Sequence, residues 1–80
     1  MAKTFHVTIA KVDAPVFDGE AVSVTLPGKE GDMTVLAKHT AIISPLRKGT
    51  VVVRSEGGEA SFETEGGTME MSGDELTILI

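Results

Sequence analysis

Phe17-Asp18-Gly19-Glu20, Val22-Ser23-Val24-Thr25-Leu26-Pro27-Gly28, Gly31-Asp32, Val35-Leu36-Ala37-Lys38-His39 and Pro45-Leu46-Arg47-Lys48-Gly49 follow one another between residues 17 and 49. These are short β-type runs, most of them punctuated by a glycine or a proline. Val22, Val24 and Leu26 alternate with Ala21, Ser23 and Thr25, the period of a strand with one buried face. Pro27-Gly28 reads as the turn that ends this run. The segment from Asp32 to Ser44 has no glycine or proline, and Met33, Leu36, Ala37 and Thr40 could line a helix face. Thr34, Val35, Thr40, Ile42 and Ile43 are β-branched and lower helix propensity. Two short strands, Met33–Ala37 and Ala41–Ser44, with a bend at Lys38-His39, are therefore predicted.

Outward from this stretch the pattern continues. Phe5, Val7 and Ile9 alternate with Thr4, His6, Thr8 and Ala10. Val51–Val53, Phe62 with Thr64, Met69 with Met71, and Leu76, Ile78 and Ile80 supply further runs. Asp18-Gly19, Pro27-Gly28, Lys48-Gly49, Gly57-Gly58, Gly66-Gly67 and Gly73-Asp74 punctuate them, and Gly57-Gly58 is the strongest hairpin signal. About nine short strands with no helix leave a two-sheet sandwich or a flattened barrel. No linker, repeat or low-complexity tract divides the chain, so residues 1–80 are predicted to form a single domain.

Composition narrows function by exclusion. The 80 residues carry a formal net charge of −5, and the seven lysines and arginines are scattered, which disfavours a nucleic-acid partner. Only Phe5, Phe17 and Phe62 are aromatic, too few for a base-stacking platform. Cysteine is absent, which excludes disulfides and thiolate zinc sites and suits a reducing compartment. No apolar run reaches the roughly 20 residues needed to span a bilayer, and the N-terminus lacks the apolar block of a signal peptide. A soluble, cytoplasmic protein follows, whose association with a membrane would run through a partner.

The chain offers little for covalent chemistry. No Gly-x-Ser-x-Gly elbow is present, and His39 near Ser44 is close in sequence only. Gly28-Lys29 lacks the upstream glycine of a phosphate loop, and Glu30 stands where that motif needs Ser or Thr. Glu63 and Glu65 share one strand face opposite Phe62 and Thr64, the pattern of a solvated face rather than an acid–base pair, and Asp74-Glu75 lies in a turn. His6, out of phase with Phe5 and Val7, faces solvent or a partner, whereas His39 is either a hydrogen-bonded turn residue or an interface contact. Met69 and Met71 have strand spacing and read as core filler. No catalytic residue, cofactor site or metal site is predicted.

Phe17-Asp18-Gly19-Glu20, Val24 through Asp32 (Val-Thr-Leu-Pro-Gly-Lys-Glu-Gly-Asp), Val35 through His39, Leu46-Arg47-Lys48-Gly49, Gly66 through Met71 and the closing Leu76-Thr77-Ile78-Leu79 together resemble the N-terminal β-domain of the epsilon subunit of F-type ATP synthase. The likeness runs in order from about Phe5 to Ile80. It implies an all-β fold, a flattened two-sheet β-sandwich of about ten short antiparallel strands. It also implies a non-catalytic part of the central stalk of a rotary motor, monomeric when isolated and peripheral to the cytoplasmic face of the inner (plasma) membrane. Such a domain binds the gamma subunit and rests on the ring of c subunits, coupling ion-driven rotation to ATP synthesis. The ring-facing loop of the family falls on Gly28, Lys29, Glu30, Gly31 and Asp32, and the gamma-facing segment on His39, Thr40, Ala41, Ile42 and Ile43. Thr40-Ala41 stands where the family usually has Ala-Pro, and Thr34 where glycine is common. Many members continue into a C-terminal pair of helices, whereas this sequence runs to Ile80, so no C-terminal helices, inhibition by them or ATP binding is expected. The alternative reading is a free-standing β-sandwich that binds a small ligand or a peptide, which calls for a concave pocket with convergent polar groups.

Overall fold

The computed structural model describes residues 3–11, 13–37 and 41–80. These residues form nine strands: β1 (Phe5–Lys11), β2 (Ala14–Ala21), β3 (Ser23–Gly28), β4 (Gly31–Leu36), β5 (Ile42–Leu46), β6 (Gly49–Ser55), β7 (Gly58–Thr64), β8 (Gly67–Ser72) and β9 (Glu75–Leu79). Alternation is the cause. In β1, Phe5, Val7 and Ile9 are buried while His6, Thr8 and Ala10 are only partly so. In β8 and β9, Met69, Met71, Leu76 and Ile78 are buried between exposed or half-buried neighbours. Because side chains point to opposite faces in turn, such runs can cover a core on one side only.

The strands pair in the order β2-β1-β9-β8-β5-β3-β6-β7, with β4 on the free side of β3. Ladders are extensive everywhere except between β3 and β5, which meet at Gly28 and Leu46 alone. That single point marks the fold between two sheets, β2-β1-β9-β8-β5 and β4-β3-β6-β7. Phe5, Val7, Ile9, Met69, Met71, Leu76 and Ile78 from the first sheet and Val24, Leu26, Val35, Val51 and Val53 from the second form one buried cluster. On the side away from the fold, the Phe17 and Phe62 rings meet edge-on at 5.6 Å and 63°. Beside them the Val22 amide donates to the Arg54 carbonyl at 2.7 Å, and the Ser55 hydroxyl to the Glu20 carbonyl at 3.1 Å. The edge of β2 is thereby fastened to β6 and β7.

The all-β expectation stands, with corrections of detail. There are nine strands among the described residues, and not all are antiparallel, since β1 and β9 pair in parallel, Val7 with Leu76 and Ile9 with Ile78. Asp18-Gly19 is not a turn but the middle of β2, where Asp18 pairs with Thr8 and Gly19 with Val7. A Cβ on Gly19 would come to 3.4 Å from the Phe17 ring, an ordinary contact, and the residue keeps extended strand geometry. The register of β1 and β2 slips between Ile9 and Ala10, a bulge that sets Val16 outside the one-to-one pairing. The Pro27-Gly28 turn is displaced by two residues, because β3 runs through Gly28 and the turn is Lys29-Glu30. Val22 falls at a bend and is only partly buried, whereas Ala21 and Ser23 are buried. The two strands expected between Met33 and Ser44 are present as β4 and β5, and the proposed bend at Lys38-His39 lies outside the described residues.

Candidate functional site

Two neighbouring features carry the residues singled out in the sequence. The first is the β3–β4 hairpin tip. Gly28 pairs with Gly31 across the Lys29-Glu30 turn, and Pro27 with Asp32. Gly31 has φ of +140°, a conformation open to glycine, and a Cβ on Gly28 would lie 2.6 Å from the Gly31 carbonyl oxygen. Both glycines are therefore required for this two-residue turn. Lys29, Glu30, Gly31 and Asp32 are exposed and Gly28 is buried.

The link between β5 and β6 braces this tip. The Arg47 amide donates to the Pro27 carbonyl at 2.9 Å and the Lys29 amide to the Pro45 carbonyl at 3.1 Å. The Arg47 guanidinium forks: Nε donates to the Gly28 carbonyl at 3.0 Å and Nη2 to Asp32 Oδ1 at 2.7 Å. Pro27 is tolerated inside a paired strand because its carbonyl, and not a missing N–H, makes the bond.

The second feature is β5 with the adjoining face. Ala41 is exposed, Ile42 half-buried and Ile43 69% exposed. Ala41, Ile42 and Ile43 with Glu70, Met71 and Ser72 line a shallow open groove of about 330 Å³. His39 and Thr40 lie outside the described residues. Across the outward face of the first sheet the register sets Ile43 beside Glu70, Glu70 beside Thr77, Thr77 beside Thr8 and Thr8 beside Asp18. Leu79, 56% exposed, stands on the same face, and Leu36, also 56% exposed, ends β4. Leu79 and Leu36 are each out of phase with a buried neighbour, Ile78 and Val35, and Ile43 with the half-buried Ile42. That phase was the signal in the sequence for Leu36 and Leu79, which the sequence reading did not pick out. Nothing local could have revealed Arg47, since its reach to Asp32 depends on the register of three strands.

His6 also projects from this face. Its Nε2 lies 2.7 Å from Asp18 Oδ1 and its Nδ1 3.2 Å from Glu20 Oε2, with Glu75 opposite in the β9 register. The hydrogen bond to Glu20 holds the imidazolium above its ordinary pKa of 6.5, and the charges of Asp18, Glu20 and Glu75 add to this against a desolvation that lowers it. A raised pKa in the folded state means that the stabilisation is fully present below pH 6.5 and is lost as pH rises through the folded value. Imidazole proton shifts followed against pH are expected to show a midpoint above 6.5, returning toward it in Asp18→Asn/Glu20→Gln. An unchanged midpoint in that double variant contradicts the contact.

For chemistry the site offers surfaces rather than reactive groups. Among the described residues no cluster of three or more histidines, aspartates or glutamates could hold a metal ion. The Ser44 hydroxyl donates to the Pro45 carbonyl at 3.2 Å. The groove at β5 is open and mostly apolar, unlike the enclosed pocket with convergent polar groups that a small-molecule binder uses. Among the described residues no helix is long and apolar enough to cross a membrane.

The family described as ATP synthase, Delta/Epsilon chain, beta-sandwich domain matches residues 4–80. The chain belongs to that family. It is 42% identical over 80 residues to the ATP synthase epsilon chain 1 of Methylococcus capsulatus, and 40% identical over 77 residues to the ATP synthase epsilon chain of Bordetella petrii. The aligned regions take in 99% and 95% of this chain but 57% and 55% of those proteins, so it spans just over half the length of these epsilon chains. Its fold matches a chain in the Euglena gracilis mitochondrial ATP synthase structure of OSCP, F1 and c-ring, with a TM-score of 0.89 at 24% identity over 95% of this chain and 49% of that one. The delta/epsilon β-sandwich thus accounts for the fold found above.

Proposed function

We propose that residues 1–80 are a single epsilon-type β-sandwich unit that serves as a non-catalytic central-stalk element of an F-type ATP synthase. In this reading it binds the gamma subunit and the c-ring and couples ion-driven rotation of the ring to ATP synthesis. The observation that carries the proposal is the family match across residues 4–80. The unit works without a cofactor, is monomeric when isolated, and sits peripherally at the cytoplasmic face of the membrane, held there by its partners.

The two features divide the partners. Gly28, Lys29, Glu30, Gly31 and Asp32 form a short polar tip suited to the polar loops of a ring. His39, Thr40, Ala41, Ile42 and Ile43 form the gamma-facing segment, and the exposed Ile43 beside the shallow groove is the kind of apolar anchor that a protein partner buries. Ile43→Glu tests this. Because Ile43 is 69% exposed, the melting temperature should stay near that of the parent. Binding to purified gamma, measured by calorimetry, should weaken by about tenfold or more, about 1.4 kcal/mol. Parental affinity in a folded Ile43→Glu protein removes β5 from the gamma interface, and no binding of the parent chain at micromolar concentrations counts against the whole reading.

A further inference from the structure

Four bonds tie the β3–β4 tip to the β5–β6 link, and Arg47 makes three of them. Its amide holds Pro27, its Nε holds Gly28, and its Nη2 holds Asp32. Pro27 and Gly28 belong to β3 and Asp32 to β4, so this one residue grips both limbs of the hairpin. The fourth bond, from the Lys29 amide to Pro45, falls inside the same bracket. Arg47 follows Leu46, which is 6% exposed and packed in the core. Besides its own β3–β4 ladder, the tip is thus tied to the segment around the core residue Leu46 through the Arg47 side chain, the Arg47 amide and the Lys29–Pro45 bond.

The planar guanidinium suits this task. Its donors leave in fixed directions, so one group can satisfy a carbonyl and a carboxylate at once, which a lysine ammonium on a flexible stem does poorly. The ion pair itself is exposed, 51% at Arg47 and 69% at Asp32, and such pairs contribute little to global stability. The same contacts have a different value for a tip that must present Lys29 and Glu30 in one orientation. Asp32, matched by Arg47, then acts as an internal anchor, and the turn residues Lys29 and Glu30 are left as the outward charges of the tip.

We propose that Arg47 is a positioning residue: it braces the Lys29-Glu30 tip against the core, so that load applied at the tip reaches the sandwich instead of bending the hairpin. The proposal rests on the reading of this tip as the ring contact. The test uses the complete ATP synthase in membrane vesicles, carrying Arg47→Ala, Arg47→Lys or the tip variant Lys29→Ser/Glu30→Ser in this chain. Two quantities are read, coupling ions pumped per ATP hydrolysed and deuterium uptake at the Lys29 amide.

In Arg47→Ala, uptake at Lys29 is expected to rise roughly tenfold while uptake at the core amides of Val7 and Ile78 stays unchanged. Pumping per ATP should fall several-fold at equal assembly, with Arg47→Lys intermediate because it can keep the Asp32 pair but not the whole fork. The tip variant should be at least as defective as Arg47→Ala. Normal pumping in the tip variant overturns the ring-contact reading, whatever Arg47 does. A defective tip variant beside a normally pumping Arg47→Ala, or unchanged Lys29 uptake, overturns the role assigned to Arg47.

Discussion

Val24→Asp is expected to abolish cooperative folding. Val24 is fully buried on β3, between Val35 of β4 and Val53 of β6 in the register, and both of those are buried as well. A carboxylate in that row has no hydrogen-bond donor directly opposite it on either neighbouring strand. Loss of apolar burial and an unpaired buried charge together cost about 4–6 kcal/mol, or force the group to take up a proton. A chain of 80 residues has a folding free energy of about 4–12 kcal/mol, and small domains lie toward the lower end. Circular dichroism should show no sigmoidal melt at neutral pH. Thr25→Asp, one residue along, is the control. Thr25 points the other way, and its hydroxyl is 3.5 Å from Arg54 Nη1, so a carboxylate there meets a cation. If Val24→Asp melts like the parent, the core proposed between the two sheets is wrong.

The same row explains which parts of the fold could be read from residues alone. β1, β8 and β9 each bury one face, so Phe5, Val7, Ile9, Met69, Met71, Leu76 and Ile78 declared themselves by alternation. β2 was missed as a full strand because Gly19 has two meanings. A glycine that turns the chain and a glycine that simply continues an extended strand look alike in sequence. Pro27-Gly28 misled for a related reason, since a proline whose carbonyl receives the Arg47 amide can stay within a strand. The parallel pairing of β1 with β9 joins opposite ends of the chain, and no local signal encodes a contact of that range. For the site, the segments were legible and the bonds were not. The Gly28–Asp32 tip and the segment holding Ile43 came from the family resemblance, with the turn itself expected two residues early, whereas the Arg47 fork exists only once β3, β4 and β5 have found their register.

Gly67→Ala tests the register on the other side of β5, where β8 meets β5 and β9. Gly67 opens β8 at φ +139°, opposite Leu46, and a Cβ there would lie within hard-sphere overlap of the Leu79 carbonyl oxygen and 3.1 Å from Ile80 Cα. Both obstacles are backbone, so no side chain can swing aside to relieve them. The strained backbone and the overlap each cost about 1–3 kcal/mol, and together they should lower Tm by about 10–50 °C. Gly57, in the turn between β6 and β7, has open space where a Cβ would go and no φ in the glycine-favouring region. Gly57→Ala is therefore expected to be neutral or to raise stability by a few tenths of a kcal/mol, because it restricts only the unfolded chain. Thermal melts of the two variants side by side separate the causes. A general loss of flexibility would harm both, whereas a steric demand made by the closing β9 strand harms Gly67→Ala alone. Equal melting temperatures would mean that β9 does not approach β8 in the register found here.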